Sequence, residues 1–188
     1  LEHFPTFILI ASARKRISIE CVNFTDCCEE QNMSSPIPCN QRWYEDFSEG
    51  ESFLLGSVEM LEKEMLDFAN QFDPQRFHID PEAASQTLYG GLIASGWHTG
   101  SLMMKLTAEG FLGEHSVGST GLSELSWPSA VRVGDILRLK IEILSKRVSG
   151  SRPNLGFIEL KTQMIKQNDE IAVQTVGTLL IERKNISD

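Results

Sequence analysis

The sequence predicts an α+β domain in which an antiparallel β-sheet wraps around one central α-helix. A long apolar segment with helical spacing occupies residues 91–111, in the middle of the chain. Four segments with strand-like patterns follow it, and one such segment precedes it. Successive strands without helices between them are typical of antiparallel sheets, so this order favours an α+β fold over a parallel α/β fold.

The composition is that of an ordinary globular protein. With 188 residues, 41% of them hydrophobic and 23% charged, the chain is long enough for one main hydrophobic core. The formal net charge of -9 argues against binding to phosphate backbones, so we expect no nucleic-acid partner. No apolar run approaches the roughly eighteen residues of a membrane-spanning helix. We therefore expect a soluble, cytoplasmic protein without a membrane partner.

The first forty residues differ from the rest of the chain. They hold all four cysteines, whose spacing matches no standard zinc site, so we expect free thiols and no metal. A breaker-rich stretch over residues 34–38 predicts a boundary. The prediction is a poorly ordered extension over residues 1–40 and a single domain over residues 41–188. Residues 1–32 are expected to be dispensable, because Met33 would serve as a natural start. The cysteines are Cys21, Cys27, Cys28 and Cys39.

The elements of the first half follow from apolar spacing and from helix signals. Residues 52–60 predict a strand, and residues 61–72 predict a helix with one apolar face. The stretch 73–80 contains a proline and shows no period, so it predicts a loop. Asp80 before Pro81 is the pattern of an N-cap followed by proline in the first helical position.

The second half begins with the long helix predicted over residues 91–111, which we expect to be buried on most sides. Glycines are poor helix formers, and their number here indicates a close approach of the backbone to a neighbour. The four strands predicted after this helix show alternating side chains or strand-like composition. They cover residues 119–127, 136–148, 155–166 and 171–183.

Asp73 and His78 are the candidate catalytic residues. They lie five positions apart in the predicted loop, just before the long helix. A carboxylate and an imidazole in one place can exchange protons with a shared water molecule. Unpaired backbone N–H groups at the start of a helix can stabilise a negative charge that develops nearby. The combination predicts a reaction centre for proton transfer.

This part of the sequence resembles the MaoC-like hydratases, which have the hotdog fold. The resemblance covers roughly residues 42–183 and rests on three features. These are the spacing of Asp73, His78 and Asp80, the glycines from Gly90 and Gly91 to Gly96, and the later Val133-Gly134-Asp135.

The resemblance implies a hydro-lyase that adds water to trans-2-enoyl thioesters, or removes it from (R)-3-hydroxyacyl thioesters. Coenzyme A is the expected carrier, and acyl carrier protein stays open from the sequence. Asp73 and His78 match the acid/base pair, and Gly96 matches the glycine whose backbone N–H faces the thioester oxygen. Gln75, Ser95 and Trp97 are the corresponding candidates for substrate binding. No metal or redox cofactor is implied, because water addition needs proton transfer alone. The resemblance also implies a homodimer or a higher homo-oligomer.

Two other functions remain open from the sequence. A hotdog thioesterase would use a carboxylate to direct water at the carbonyl carbon, and the presence of His78 argues against it. A binding module for acyl thioesters would keep the fold without turnover. Simple structural roles also compete: Asp80 is expected to be a helix cap, and His98 a hydrogen-bonded core residue.

Overall fold

A computed structural model of the chain describes residue 35 and residues 37–184. The sheet of this part has five antiparallel strands in the order β1-β3-β4-β5-β2. The strands are β1 (Ser52–Glu59), β2 (Ser116–Ser126), β3 (Ile136–Val148), β4 (Leu155–Lys166) and β5 (Ile171–Glu182). The α-helices are α1 (Glu62–Phe72), α2 (Arg76–Ile79), α3 (Pro81–Ser85) and α4 (Gly96–Gly110).

The predicted strands are confirmed, with small differences at their ends. β3 and β4 begin and end where the side-chain pattern predicted. β2 begins three residues before its predicted start, at Ser116. The alternation is readable because one face of the sheet is buried: Leu137, Leu139, Ile141 and Ile143 of β3 are all fully buried. The order of the elements confirms the α+β hotdog architecture.

The long helix is shorter than predicted. It begins at Gly96 instead of residue 91, because residues 90–94 form backbone bonds elsewhere. The Ile93 N–H donates to the Phe77 carbonyl, and the Ala94 N–H donates to the Val131 carbonyl. Gly90 and Gly91 have φ angles of 62° and 154°, which favour glycine and which no right-handed helix contains. Ser95 then forms the N-cap.

The prediction that this helix is buried on most sides is also wrong. One side of α4 packs on the sheet through Leu102, Met103 and Leu106, which contact the hydrophobic core. The opposite side is open, since Trp97 is 61% exposed and Met104 is 51% exposed. Packing within the described part of the chain therefore does not account for the apolar character of the exposed side.

The predicted loop over residues 73–80 contains the one-turn helix α2. The predicted helix start at Asp80 is confirmed, because its carboxylate accepts hydrogen bonds from the Glu82 and Ala83 N–H groups, both at 3.0 Å. The Asp80 side chain is therefore the N-cap of helix α3.

The Arg42 side chain connects residues 35 and 37 to the rest of the domain. Its guanidinium forms an ion pair with Glu51 at 2.7 Å, and both side chains are buried. It also donates to the carbonyls of Ile37 at 2.7 Å and Ser35 at 3.0 Å. The predicted extension lies mostly outside the described residues, as do Cys21, Cys27 and Cys28. The domain boundary and the dispensable segment stay predictions.

Candidate active site

Asp73 lies where helix α1 ends. The residue before a proline is disfavoured in the α-helical region, and Asp73, which precedes Pro74, leaves it with a ψ angle of 65°. Its Oδ1 accepts a hydrogen bond from Gln75 Nε2 at 2.8 Å, and its Oδ2 accepts one from the Ser95 hydroxyl at 2.7 Å. The carboxylate is therefore held in one orientation by two side chains.

His78 lies in α2 and is buried. Its Nδ1 is 2.9 Å from the carbonyl oxygen of Ile93. A carbonyl can only accept, so Nδ1 carries a proton and Nε2 is the nitrogen that gains or loses one. Nε2 is 3.3 Å from Asp73 Oδ2. The predicted pair thus meets directly, and both groups can reach one water molecule placed beside them.

Ser95 links this pair to helix α4. Its hydroxyl donates to Asp73 and, as the N-cap, accepts from the Trp97 N–H at 3.2 Å. The side chain is fully buried. One hydroxyl therefore joins the carboxylate to the start of the helix whose N–H groups were predicted to face the substrate.

The environment of Asp73 favours the charged carboxylate. Burial raises its pKa, but the hydrogen bonds from Ser95 and Gln75 and the charge of His78 lower it more, and the pKa lies below its ordinary value. At neutral pH Asp73 is ionised and accepts hydrogen bonds. Its negative charge stabilises a positive charge on His78 when Nε2 takes up a proton.

At Gly96, the first residue of α4, the close approach predicted from the glycines is confirmed, and the neighbour is Trp127. A Cβ atom here would lie 2.8 Å from Nε1 and Cε2 of the Trp127 indole. The same indole donates from Nε1 to the Gly96 carbonyl at 2.9 Å. The N–H of a first helical residue has no acceptor within its own helix. Trp127 therefore packs against the backbone that is expected to bind the thioester oxygen.

Five of the six predicted site residues line one cavity of about 330 Å³, and Ser95 binds the carboxylate at its wall. The cavity brings together a carboxylate, an imidazole and the start of α4. Sequence reasoning missed several of its residues, among them Trp127, which lies next to Pro128 at the end of β2. The predicted residues that line it are Asp73, Gln75, His78, Gly96 and Trp97.

A second, larger cavity of about 560 Å³ lies between the exposed side of α4 and the strands β2, β4 and β5. Trp97 and Trp127 line both cavities, and their rings are in edge contact at 5.4 Å between centroids. The wall of the larger cavity is mostly apolar. Its apolar side chains include Met103, Met104, Leu122, Leu125, Leu160 and Leu179.

The other histidines of the described part have structural surroundings. His98 is buried and stacks on Phe68, at 4.9 Å between ring centroids. Its Nδ1 has no hydrogen-bond partner among the described residues, so it is a core histidine without the predicted bond at that atom. Burial lowers its pKa. His115 stacks on Trp43 and pairs with Glu182, at 3.4 Å.

A cluster of metal ligands and a membrane-spanning helix are both absent from the part of the chain that the structure describes. No three His, Cys, Asp or Glu side chains in this range stand close enough together to hold a metal ion. None of the helices within it has the length and apolarity needed to cross a bilayer.

The fold and the site together define a hotdog domain with an Asp/His pair at the start of its central helix. The family model for the MaoC like domain matches residues 46–157, more than half of the chain. The chain belongs to this family, as its sequence motif predicted.

Known proteins resemble the chain over most of the described part. The MaoC-like dehydratase from Rhodospirillum rubrum is 32% identical with a TM-score of 0.72, over 77% of this chain and 99% of that one. The uncharacterized protein YdeM of Bacillus subtilis (strain 168) is 29% identical over 140 residues, 74% of this chain and 98% of that protein. An R-hydratase from Pseudomonas aeruginosa shares the fold, with 20% identity and a TM-score of 0.62, over 76% of this chain and 86% of that one.

Proposed function

We propose that the protein is a hydro-lyase that adds water to trans-2-enoyl thioesters, or removes it from (R)-3-hydroxyacyl thioesters, with coenzyme A as the carrier. The observation that carries the proposal is the contact between His78 Nε2 and Asp73 Oδ2 in a cavity that the start of α4 also lines. Membership in the MaoC like family and the likeness to proteins described as a dehydratase and an R-hydratase agree with it.

The pair supplies the proton transfers of this reaction. A water molecule held by Asp73 gives a proton to Nε2 of neutral His78 as its oxygen bonds to C3 of the enoyl group. The imidazolium then delivers a proton to C2, which leaves both side chains in their starting states. Ile93 keeps the other nitrogen protonated throughout, and ionised Asp73 stabilises the imidazolium.

Besides proton transfer, the reaction needs hydrogen-bond donors for the thioester oxygen, and the start of α4 supplies them. Negative charge develops on the thioester oxygen when C3 is attacked, and backbone N–H groups at a helix N-terminus stabilise such charge. Gly96 lines the reaction cavity and begins the helix. We assign its N–H the role of oxyanion donor. Gln75 and Trp97, which also line the cavity, are assigned to substrate contact.

Purified protein mixed with crotonyl-CoA tests the reaction type. Hydration removes the absorbance of the conjugated enoyl group and leaves the thioester intact, which is the expected result. Release of free thiol would instead indicate a thioesterase. Neither change, together with measurable binding of crotonyl-CoA, would indicate a binding module without turnover.

Variants of the pair test the mechanism. Asp73→Asn and His78→Ala should each lower kcat by at least about a hundredfold, since general acid and base catalysis typically contribute that much. The matched controls are Asp67→Asn, an exposed carboxylate on the same helix as Asp73, and His115→Gln, a histidine outside the cavity. Full activity in Asp73→Asn or in His78→Ala, with folding intact, would remove that residue from the mechanism.

We further propose a homodimer, for which the exposed end of the sheet gives support. β2 is an edge strand, so one row of its backbone groups has no neighbouring strand in the sheet. Val117 and Leu122 on β2 are more than half exposed, next to exposed Trp97 and Met104 on α4. A second copy would cover this surface and enclose the larger cavity, which these four residues also line. Sedimentation at micromolar concentration should give twice the monomer mass, and a monomer would contradict the proposal. A cytoplasmic location stays a prediction that suits a CoA-linked substrate.

A further inference from the structure

The wall of the larger cavity contains two hydroxyl groups without a hydrogen bond to any residue that the structure describes. Thr162 on β4 and Thr175 on β5 line this cavity and are 8% and 4% exposed. Neither hydroxyl has a hydrogen-bond partner among the residues that the structure describes. Both hydroxyl oxygens stay open to the cavity, because among the described residues only His98 Nδ1 is a fully enclosed side-chain nitrogen or oxygen without a partner. A ligand that displaces water from them must therefore offer hydrogen bonds in its place.

The two threonines face the same point. They are directly opposed in the register of β4 and β5. Directly opposed residues on one face of an antiparallel pair have Cβ atoms about 5 Å apart. Both hydroxyls can therefore reach a single oxygen atom placed between them, one as donor and one as acceptor.

Two other hydroxyl groups that line the cavity already bond to backbone carbonyls. At the rim of the same cavity, Ser101 donates to the Trp97 carbonyl at 2.8 Å and Thr107 donates to the Met103 carbonyl at 2.8 Å. The next opposed polar pair along β4 and β5, Gln163 and Gln174, forms a hydrogen bond between its side chains at 2.6 Å.

The position of the cavity indicates what would reach the threonines. It adjoins the reaction cavity at Trp97 and Trp127, which line both. With the thioester and C3 at Asp73 and His78, the distal part of the acyl chain extends past these rings along the apolar wall. A purely hydrocarbon chain would seal both hydroxyls from water without giving them a partner, which is unfavourable.

We propose that Thr162 and Thr175 form a subsite for an oxygen atom on the distal part of the acyl chain, and that the protein prefers acyl thioesters with a hydroxyl group there. This inference rests on the proposed function, because it takes the occupant of the larger cavity to be the acyl chain of the substrate. The expected substrates are then acyl-CoA thioesters whose acyl chain carries an oxygen atom, in place of plain fatty acyl-CoA.

Binding of saturated thioesters tests the subsite without turnover. Calorimetry with the 188-residue chain would compare octanoyl-CoA with a series of hydroxyoctanoyl-CoA molecules in which the hydroxyl moves carbon by carbon toward the chain end. One hydrogen bond between neutral groups corresponds to about a five- to tenfold gain in affinity, so at least one member should bind that much more tightly than octanoyl-CoA.

The Thr162→Val/Thr175→Val variant keeps the shape of the wall and removes both hydroxyls. It should lose the preference and bind octanoyl-CoA at least as tightly as the unaltered protein does. Thr107→Val is the matched control, because its hydroxyl is already bonded, and it should keep the preference. Equal binding of all thioesters by the unaltered protein, or a preference that survives in the double variant, would overturn the subsite alone. Failure of every thioester in the series to bind would also overturn the subsite, whereas the crotonyl-CoA assay decides the proposed function separately.

Discussion

Replacing Ser95 with alanine should damage both the stability of the protein and the charge state of its site. The hydroxyl forms two hydrogen bonds: it caps helix α4 through the Trp97 N–H and donates to Asp73 Oδ2. Loss of a serine N-cap costs about 1 kcal/mol. Loss of a donor to a carboxylate that is still partly solvated costs about 1 kcal/mol more. The free energy of unfolding at pH 7 should therefore fall by about 2 kcal/mol.

The pH dependence of this loss separates the two roles. The pKa of Asp73 is lowered in the folded protein, so its stabilising contribution is fully present above the unfolded pKa, near 3.9, and disappears as the pH falls through the folded pKa. Without the Ser95 hydroxyl the folded pKa rises toward the unfolded one. The unaltered protein should lose stability more steeply in acid than the variant, and the difference between them should shrink below about pH 5.

Urea unfolding between pH 7 and the acid limit of folding measures these quantities. Ser95→Gly is a useful companion, because glycine at an N-cap costs only a few tenths of a kcal/mol and the loss then reports mainly the Asp73 bond. Ser101→Ala is the control, since its hydroxyl bonds only within the same helix, and it should change stability by less than about 0.5 kcal/mol. A loss for Ser95→Ala that stays constant with pH would refute the assigned effect on Asp73.

Three further variants test other parts of the fold and site. Arg42→Ala removes the buried partner of Glu51 and should lower the free energy of unfolding by about 3 kcal/mol in urea titrations; a loss under about 1 kcal/mol would contradict this. Burial lowers the pKa of His98, so the unfolded state binds more protons than the folded state in acid. The free energy of unfolding should therefore fall as the pH drops below about 6.5. His98→Leu should remove this pH dependence, and an equal pH dependence in the variant would contradict the prediction. In Gly96→Ala the new Cβ atom meets Trp127, so kcat for crotonyl-CoA should fall about a hundredfold. The free energy of unfolding should change by only about 1 kcal/mol. An unchanged kcat would remove Gly96 from the mechanism.

Much of the fold was predictable because its signals are local. The strands could be read from alternation, since β3 buries one face completely, and α1 could be read from helical spacing. Asp80 could be read as a cap from its neighbour Pro81 alone. Asp73 and His78 were predicted from their spacing, and the structure brings them to 3.3 Å.

The remaining features depend on contacts between distant parts of the chain, which spacing does not reveal. Trp127 reaches Gly96 across 31 positions. Thr162 and Thr175 become neighbours only through the register of two strands. The exposed side of α4 reads as buried because its residues are apolar, although in this chain they line a cavity.

The early start predicted for α4 is the most instructive error, because the candidate site depends on where this helix begins. In a helix that started at residue 91, the Ile93 carbonyl would accept from the Trp97 N–H four residues later. It would then be committed to the helix instead of fixing the tautomer of His78, and Ser95 would lie inside the helix with no N–H to cap. In the structure the Trp97 N–H bonds to the Ser95 hydroxyl, and the Ile93 carbonyl bonds to His78. Gly90 and Gly91 keep the residues that precede α4 out of the helix, and the contacts of His78 and Asp73 depend on this. A substitution at either glycine that extended α4 would therefore remove these contacts, although it would change no catalytic side chain.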